Sequence, residues 1–135
     1  MDYERYRDPD GTMPMWAEKF KECEKFISDA LEYCNGTHDL QDVADQIYRG
    51  ELQLWPANET ALVSQIITYP KRKAIHIFLA GGNIDELINM EESVFTWAKM
   101  QGCDLLTFSG RLGWSRSKLK NRGYKVDHMM MVKEL

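Results

Sequence analysis

Only His76 interrupts the apolar run from Ala74 to Ala80. A strand with apolar residues on both faces must be covered on both sides, so it belongs inside a sheet with helices above and below it. Gly81-Gly82 follow at once, and then a helix begins. Asn83 with Glu86 three residues later is a capping-box pattern, and Asp85 and Glu86 suit the positive end of a helix dipole. The order central strand, glycines, capped helix restricts the chain to α/β architectures.

The rest of the chain supplies the covering layers. Residues 1–15 read as an irregular arm, with Asp8-Pro9-Asp10-Gly11 as a turn and Pro14 as a further break. Trp16, Phe20, Cys23, Ile27, Ala30 and Leu31 recur at helical spacing to about Tyr33, and Asn35-Gly36 ends that helix. Thr37 or Asp39 caps a second helix, with Leu40, Val43, Ala44 and Ile47 on one stripe and Gly50 as its stop. Strands are expected over Leu52–Trp55 and Ala61–Tyr69, separated by a turn at Pro56-Ala57-Asn58-Glu59. Beyond the central strand, Ile84–Met100 reads as a helix stopped by Gly102, and Asp104–Phe108 as a buried strand joined by a parallel crossover. A shorter helix over Gly113–Asn121 and a last strand over Tyr124–Val132 complete the expected order α-α-β-β-β-α-β-α-β. That is a single-domain α/β fold, with a mixed, mostly antiparallel sheet flanked by helices.

Composition narrows the function classes. At 135 residues, with 44% hydrophobic and 28% charged side chains, the chain suits one domain with a real core. Fifteen aromatic residues argue against disorder. No apolar run approaches the ~20 residues of a membrane helix, and Met1–Gly11 is too charged for a secretory signal. Cys23, Cys34 and Cys103 are too widely spaced for a zinc site and read as reduced structural thiols. No metal site is expected.

The net charge of −4 hides an asymmetry: residues 1–70 sum to −8 and residues 71–135 to +4. The total argues against non-specific coating of nucleic acid. Yet Arg111–Lys125 holds six basic residues and no acid, and local charge of this kind can attract an anion.

Two junctions could carry chemistry. Gly81, Gly82 and Asn83 offer backbone N–H groups at a helix N-terminus, suited to a pyrophosphate; the alternative is a tight turn and nothing more. Gly110-Arg111-Leu112-Gly113-Trp114-Ser115-Arg116 follows the next strand. There Arg111 and Arg116 could fork onto phosphate and Trp114 could pack on a ring or a pantetheine-like chain. The alternative is a solvated basic helix with Trp114 as core anchor. His76, on the face opposite Ile75 and Ile77, reads either as a general base in a cleft or as a hydrogen-bonded core histidine. Glu91 and Glu92 read as a solvated helix face. Met129-Met130-Met131 reads as core or interface.

The order of elements and the two glycine junctions resemble the GNAT superfamily of N-acetyltransferases, over residues 16–135. Gln53-Leu54-Trp55-Pro56, Tyr69-Pro70, Leu79-Ala80-Gly81-Gly82, Trp97-Ala98-Lys99, Gly102-Cys103 and Gly110-Arg111-Leu112-Gly113-Trp114 look like those of a phage and prophage group, related to small internal virion proteins of short-tailed phages. The resemblance implies acetyl-CoA as acyl donor, held at Gly81, Gly82, Asn83, Arg111, Trp114 and Arg116. It implies His76 as base toward an amine substrate, and a place in the host cytoplasm or the virion. The superfamily turn is Q/R-x-x-G-x-G/A, whereas this chain has Leu79-Ala80-Gly81-Gly82-Asn83-Ile84, and Leu119 stands where many members carry a tyrosine acid. These departures imply the alternative, a GNAT-shaped virion protein or protein-binding module without turnover, its N-terminal arm docked on a partner.

Overall fold

A computed structural model describes residues 1–110, 113–114 and 117–135. Helices α1 (Met15–Leu31) and α2 (Leu40–Tyr48) lead into strands β1 (Gln53–Pro56), β2 (Thr60–Thr68) and β3 (Lys73–Gly82). Helix α3 (Ile84–Met100) and strand β4 (Leu105–Phe108) follow. The sheet order is β1-β2-β3-β4. β1, β2 and β3 pair antiparallel, and β3 pairs with β4 in parallel. The expected single-domain α/β fold with a mixed sheet is what the chain forms.

Apolar spacing decides which helix covers which face. Ala17, Phe20, Cys23 and Ile27 form the buried stripe of α1 and Val43 and Ala44 that of α2; they pack on Ala61, Val63 and Leu79. On the opposite face Leu87, Val94 and Ala98 of α3 pack on Leu62, Ile75 and Ile77. β3 therefore carries apolar side chains in both directions, as its sequence requires. α1 stops at Leu31 with Glu32 as a right-handed C-cap, and the expected stop at Asn35 (φ 58°) and Gly36 (φ 73°) takes the left-handed conformation in the turn that follows. Asp39, rather than Thr37, caps α2 in a full capping box with Asp42.

Four expectations are corrected. The pair Gly81-Gly82 is not a turn. Both residues belong to β3, opposite Ala61 and Thr60 of β2. The described residues of 113–121 lie in no α-helix; Lys118–Arg122 is a 3-10 helix, stopped by Gly123 at φ 88°. Tyr124–Val132 forms no strand. Its alternation is strand-like, but a strand needs a paired neighbour, and none is beside it among the described residues. Glu91 is not solvated: it is 6% exposed and paired with Arg122.

The N-terminal arm is ordered by the chain itself. Tyr6 is fully buried against α1 and α2, with its ring 4.9 Å from that of Trp16. Its hydroxyl donates to Asp45 (2.5 Å) and accepts from Gln41 Nε2 (2.7 Å), while Arg5 pairs with Asp45 at 3.0 Å. The arm thus docks on its own helices.

Candidate functional site

β3 and β4 stay in register from Ala74↔Leu105 to Ile77↔Phe108, with a last bond from Ser109 N–H to the Ile77 carbonyl (3.1 Å). Beyond that point β3 runs on to Gly82 and β4 has ended. Among the described residues, Phe78–Gly82 has β2 along one edge and no strand along the other. A bulge marks the parting, since the β2–β3 register shifts between Val63 and Ser64 and leaves Phe78 extra. After it, Phe78 and Leu79 both join the α1-side cluster. The ring of Phe78 lies 4.8 Å from that of His38 in the loop before α2.

His76 sits one residue inside the paired part. Its Nδ1 and the Thr107 hydroxyl are 2.7 Å apart. Burial lowers its pKa below the ordinary imidazole value, so the ring is neutral at neutral pH and can accept a proton. Thr107 gave no signal of its own in the sequence; only the parallel register His76↔Thr107 reveals the pair.

At the other end of β3, the chain fills its own glycine spaces. A Cβ on Gly81 would stand 2.1 Å from the Phe26 carbonyl oxygen of α1, and one on Gly82 would stand 2.0 Å from the Glu59 carbonyl oxygen. The glycines are there for backbone contact with α1 and with the start of β2. Three amides just beyond them are bonded within the chain. Asn83 N–H lies 3.0 Å from the Glu59 carbonyl and 3.1 Å from the Thr60 hydroxyl, while its side-chain oxygen accepts from Asp85 and Glu86 N–H. The Glu86 carboxylate accepts from Glu59 N–H instead of closing the expected box. A pyrophosphate at this helix end meets the already bonded amides of Asn83, Asp85 and Glu86, and the carboxylates of Glu86 and Asp85, of which Asp85 is paired with Lys118. The residues do not fit that group.

The second junction is a packing device in its described part. Trp114 lies with its ring 5.6 Å from that of Phe108 and belongs to the α3-side cluster. A Cβ on Gly110 would come within 2.8 Å of Trp114 and 2.9 Å of Phe108. Ile75 and Ile77 face the α3 side, so His76 points away from Trp114 and the two are not brought together. Arg111 and Arg116 lie outside the described residues. His76 and Gly82 are separated along β3 by six residue steps, about 20 Å at ~3.3 Å per residue.

The fold has known counterparts. Crystal structures of TTHA1254 from Thermus thermophilus, the wild type and a point mutant, are similar to this chain with TM-scores of 0.56 and 0.57. Identity is 12%, over 85% of this chain and 91% of theirs. At that identity the likeness speaks for the fold alone. No family model matches the chain, and no curated protein does. Among the described residues no helix is long and apolar enough to cross a membrane, and no three metal-ligating side chains converge.

Proposed function

We propose that this chain is a GNAT-shaped protein-binding module that does not turn over acetyl-CoA. The supporting observation is the start of α3. The N–H groups of Asn83, Asp85 and Glu86 are bonded to Glu59, Thr60 and the Asn83 side chain, and the Glu86 and Asp85 carboxylates stand beside them. Desolvating a phosphate there would have to break those bonds and would add like-charge repulsion. The ligand this reading assigns is an extended protein segment, because the unpaired β3 edge at Phe78–Gly82 presents main-chain groups of the kind that β-strand addition satisfies. The sequence resemblance supports a phage origin and a place in the virion or the host cytoplasm.

A second reading rests on the other end of β3. The parting of β3 and β4 after Ile77, beside a neutral His76, favours an N-acyltransferase in which His76 takes the proton of the amine substrate. Calorimetric titration with acetyl-CoA separates the two readings. The module releases no heat at millimolar ligand; saturable binding that transfers acetyl to an amine overturns it in favour of the enzyme.

A further inference from the structure

Three basic residues in a row, Lys71, Arg72 and Lys73, follow Tyr69-Pro70 where β2 turns back into β3. Turn chemistry does not ask for them. Turns select glycine, proline, asparagine, aspartate and serine, and Pro70 is the one such residue here. The turn is closed by Tyr69 N–H, which donates to the Arg72 carbonyl at 2.8 Å. The Tyr69 side chain is 48% exposed and belongs to neither core cluster.

The turn from α3 to β4 is fastened beside it. Lys73 Nζ donates to the Gln101 carbonyl (2.5 Å), and Asp104 N–H donates to the Lys73 carbonyl (2.9 Å). Arg72 reaches the Asp104 carbonyl (3.0 Å) and carboxylate (3.4 Å). Lys99 stands in the last turn of α3, its carbonyl accepting from Gly102 N–H. The two turns thus gather Lys71, Arg72, Lys73 and Lys99 against a single acid, Asp104. Arg72 is paired with that acid and is still half exposed. Lys71 and Lys99 are exposed, and neither has a hydrogen bond or ion pair among the described residues. Crowded like charge costs a fold stability, and nothing in the packing offsets it at these two lysines.

An exposed ring beside cations on a braced turn suits a single strand of nucleic acid, whose bases stack on aromatic rings while the phosphates meet the cations. An acidic protein segment would use the cations and leave the ring idle. We propose that this end of the sheet binds single-stranded nucleic acid, with a base on Tyr69 and phosphates at Lys71, Arg72 and Lys99. The net charge of −4 repels a polyanion from the chain as a whole, so the contact is short, about three phosphates, and sensitive to salt. It lies at the opposite end of β3 from Phe78–Gly82 and is independent of the ligand proposed there.

The test is fluorescence anisotropy of the full chain with a fluorescein-labelled oligothymidylate of about 12 nucleotides, over about 20–200 mM salt. Saturable binding is expected at the low end, with log affinity falling against log salt at a slope of about −2, as about three phosphates give. K71E/K99E reverses two exposed charges that bond to nothing described, and should bind at least about tenfold more weakly. Tyr69→Ala keeps every charge and should lose about fivefold or more. No binding at about 20 mM salt overturns the proposal. Unchanged affinity in either variant overturns it as well: in K71E/K99E by moving the phosphates elsewhere, in Tyr69→Ala by taking the base off the ring. Polyglutamate that competes as strongly as the oligonucleotide overturns it in favour of an acidic protein.

Discussion

Gly81 lies against the backbone of Phe26, with the position of its absent Cβ 2.1 Å from the Phe26 carbonyl oxygen. This contact seats α1 on the end of β3 and gives the glycine a reason that involves no ligand. Gly81→Ala should therefore push α1 off the sheet and cost about 1–3 kcal/mol of stability, as overpacking does. Urea denaturation measures it. An alanine variant as stable as the parent would mean that α1 does not sit where it is described.

Tyr6 ties the arm to α2. Truncation by Tyr6→Ala removes a fully buried aromatic ring and its bonds to Asp45 and Gln41, and should cost about 3–5 kcal/mol. Tyr6→Phe keeps the ring and should cost about 1–2 kcal/mol. Limited trypsin digestion provides the second readout. Cleavage at Arg5 and Arg7 should accelerate in the alanine variant and much less in the phenylalanine one.

Glu91 and Arg122 form a partly buried ion pair, with side chains 7% and 44% exposed. Removing only Arg122, as in Arg122→Ala, strands a buried carboxylate. After allowance for solvent at the exposed partner, the expected cost is about 1–3 kcal/mol. The double variant E91L/R122L should recover most of that loss, because no buried charge remains. A thermal unfolding cycle on the parent, E91L, R122L and E91L/R122L reads the coupling. Additive single and double effects would show that the pair does not fasten residues 119–124 to α3.

His76 gives the fold a pH dependence of defined sign. Its folded pKa lies below the unfolded value near 6.5 because burial disfavours the cation. The stability tied to its neutral form is fully present above about pH 6.5 and declines as pH falls through the lower, folded pKa. His76→Gln keeps a partner for Thr107 and removes the titration. The difference between parent and variant unfolding midpoints should shrink or reverse between about pH 7.5 and about pH 5. A constant difference across that range would contradict the buried neutral ring.

Much of this fold could be read locally. The α1 stripe, the Asp39 cap and the two-faced apolar β3 are set by residues within a few positions of each other. What the sequence hid depends on distance. Glu91 looks solvated until Arg122, 31 residues later, is placed beside it. Tyr6 looks like part of a loose arm until Asp45, 39 residues away, accepts its hydrogen bond. Tyr124–Val132 alternates like a strand, but alternation states a preference and only a neighbouring edge makes a ladder. The glycine pair was legible as special and not as to cause, since a ligand phosphate and a crossing backbone both exclude a Cβ.

The central claim is that the chain itself occupies the N-terminus of α3. Amide chemical shifts of Gly81, Gly82, Asn83, Asp85 and Glu86 in a ¹⁵N-labelled sample test it most directly. These five should stay in place as acetyl-CoA is added to millimolar concentration. Saturating shifts centred on them would show a phosphate displacing Glu59 and the Asn83 cap, and would contradict the account.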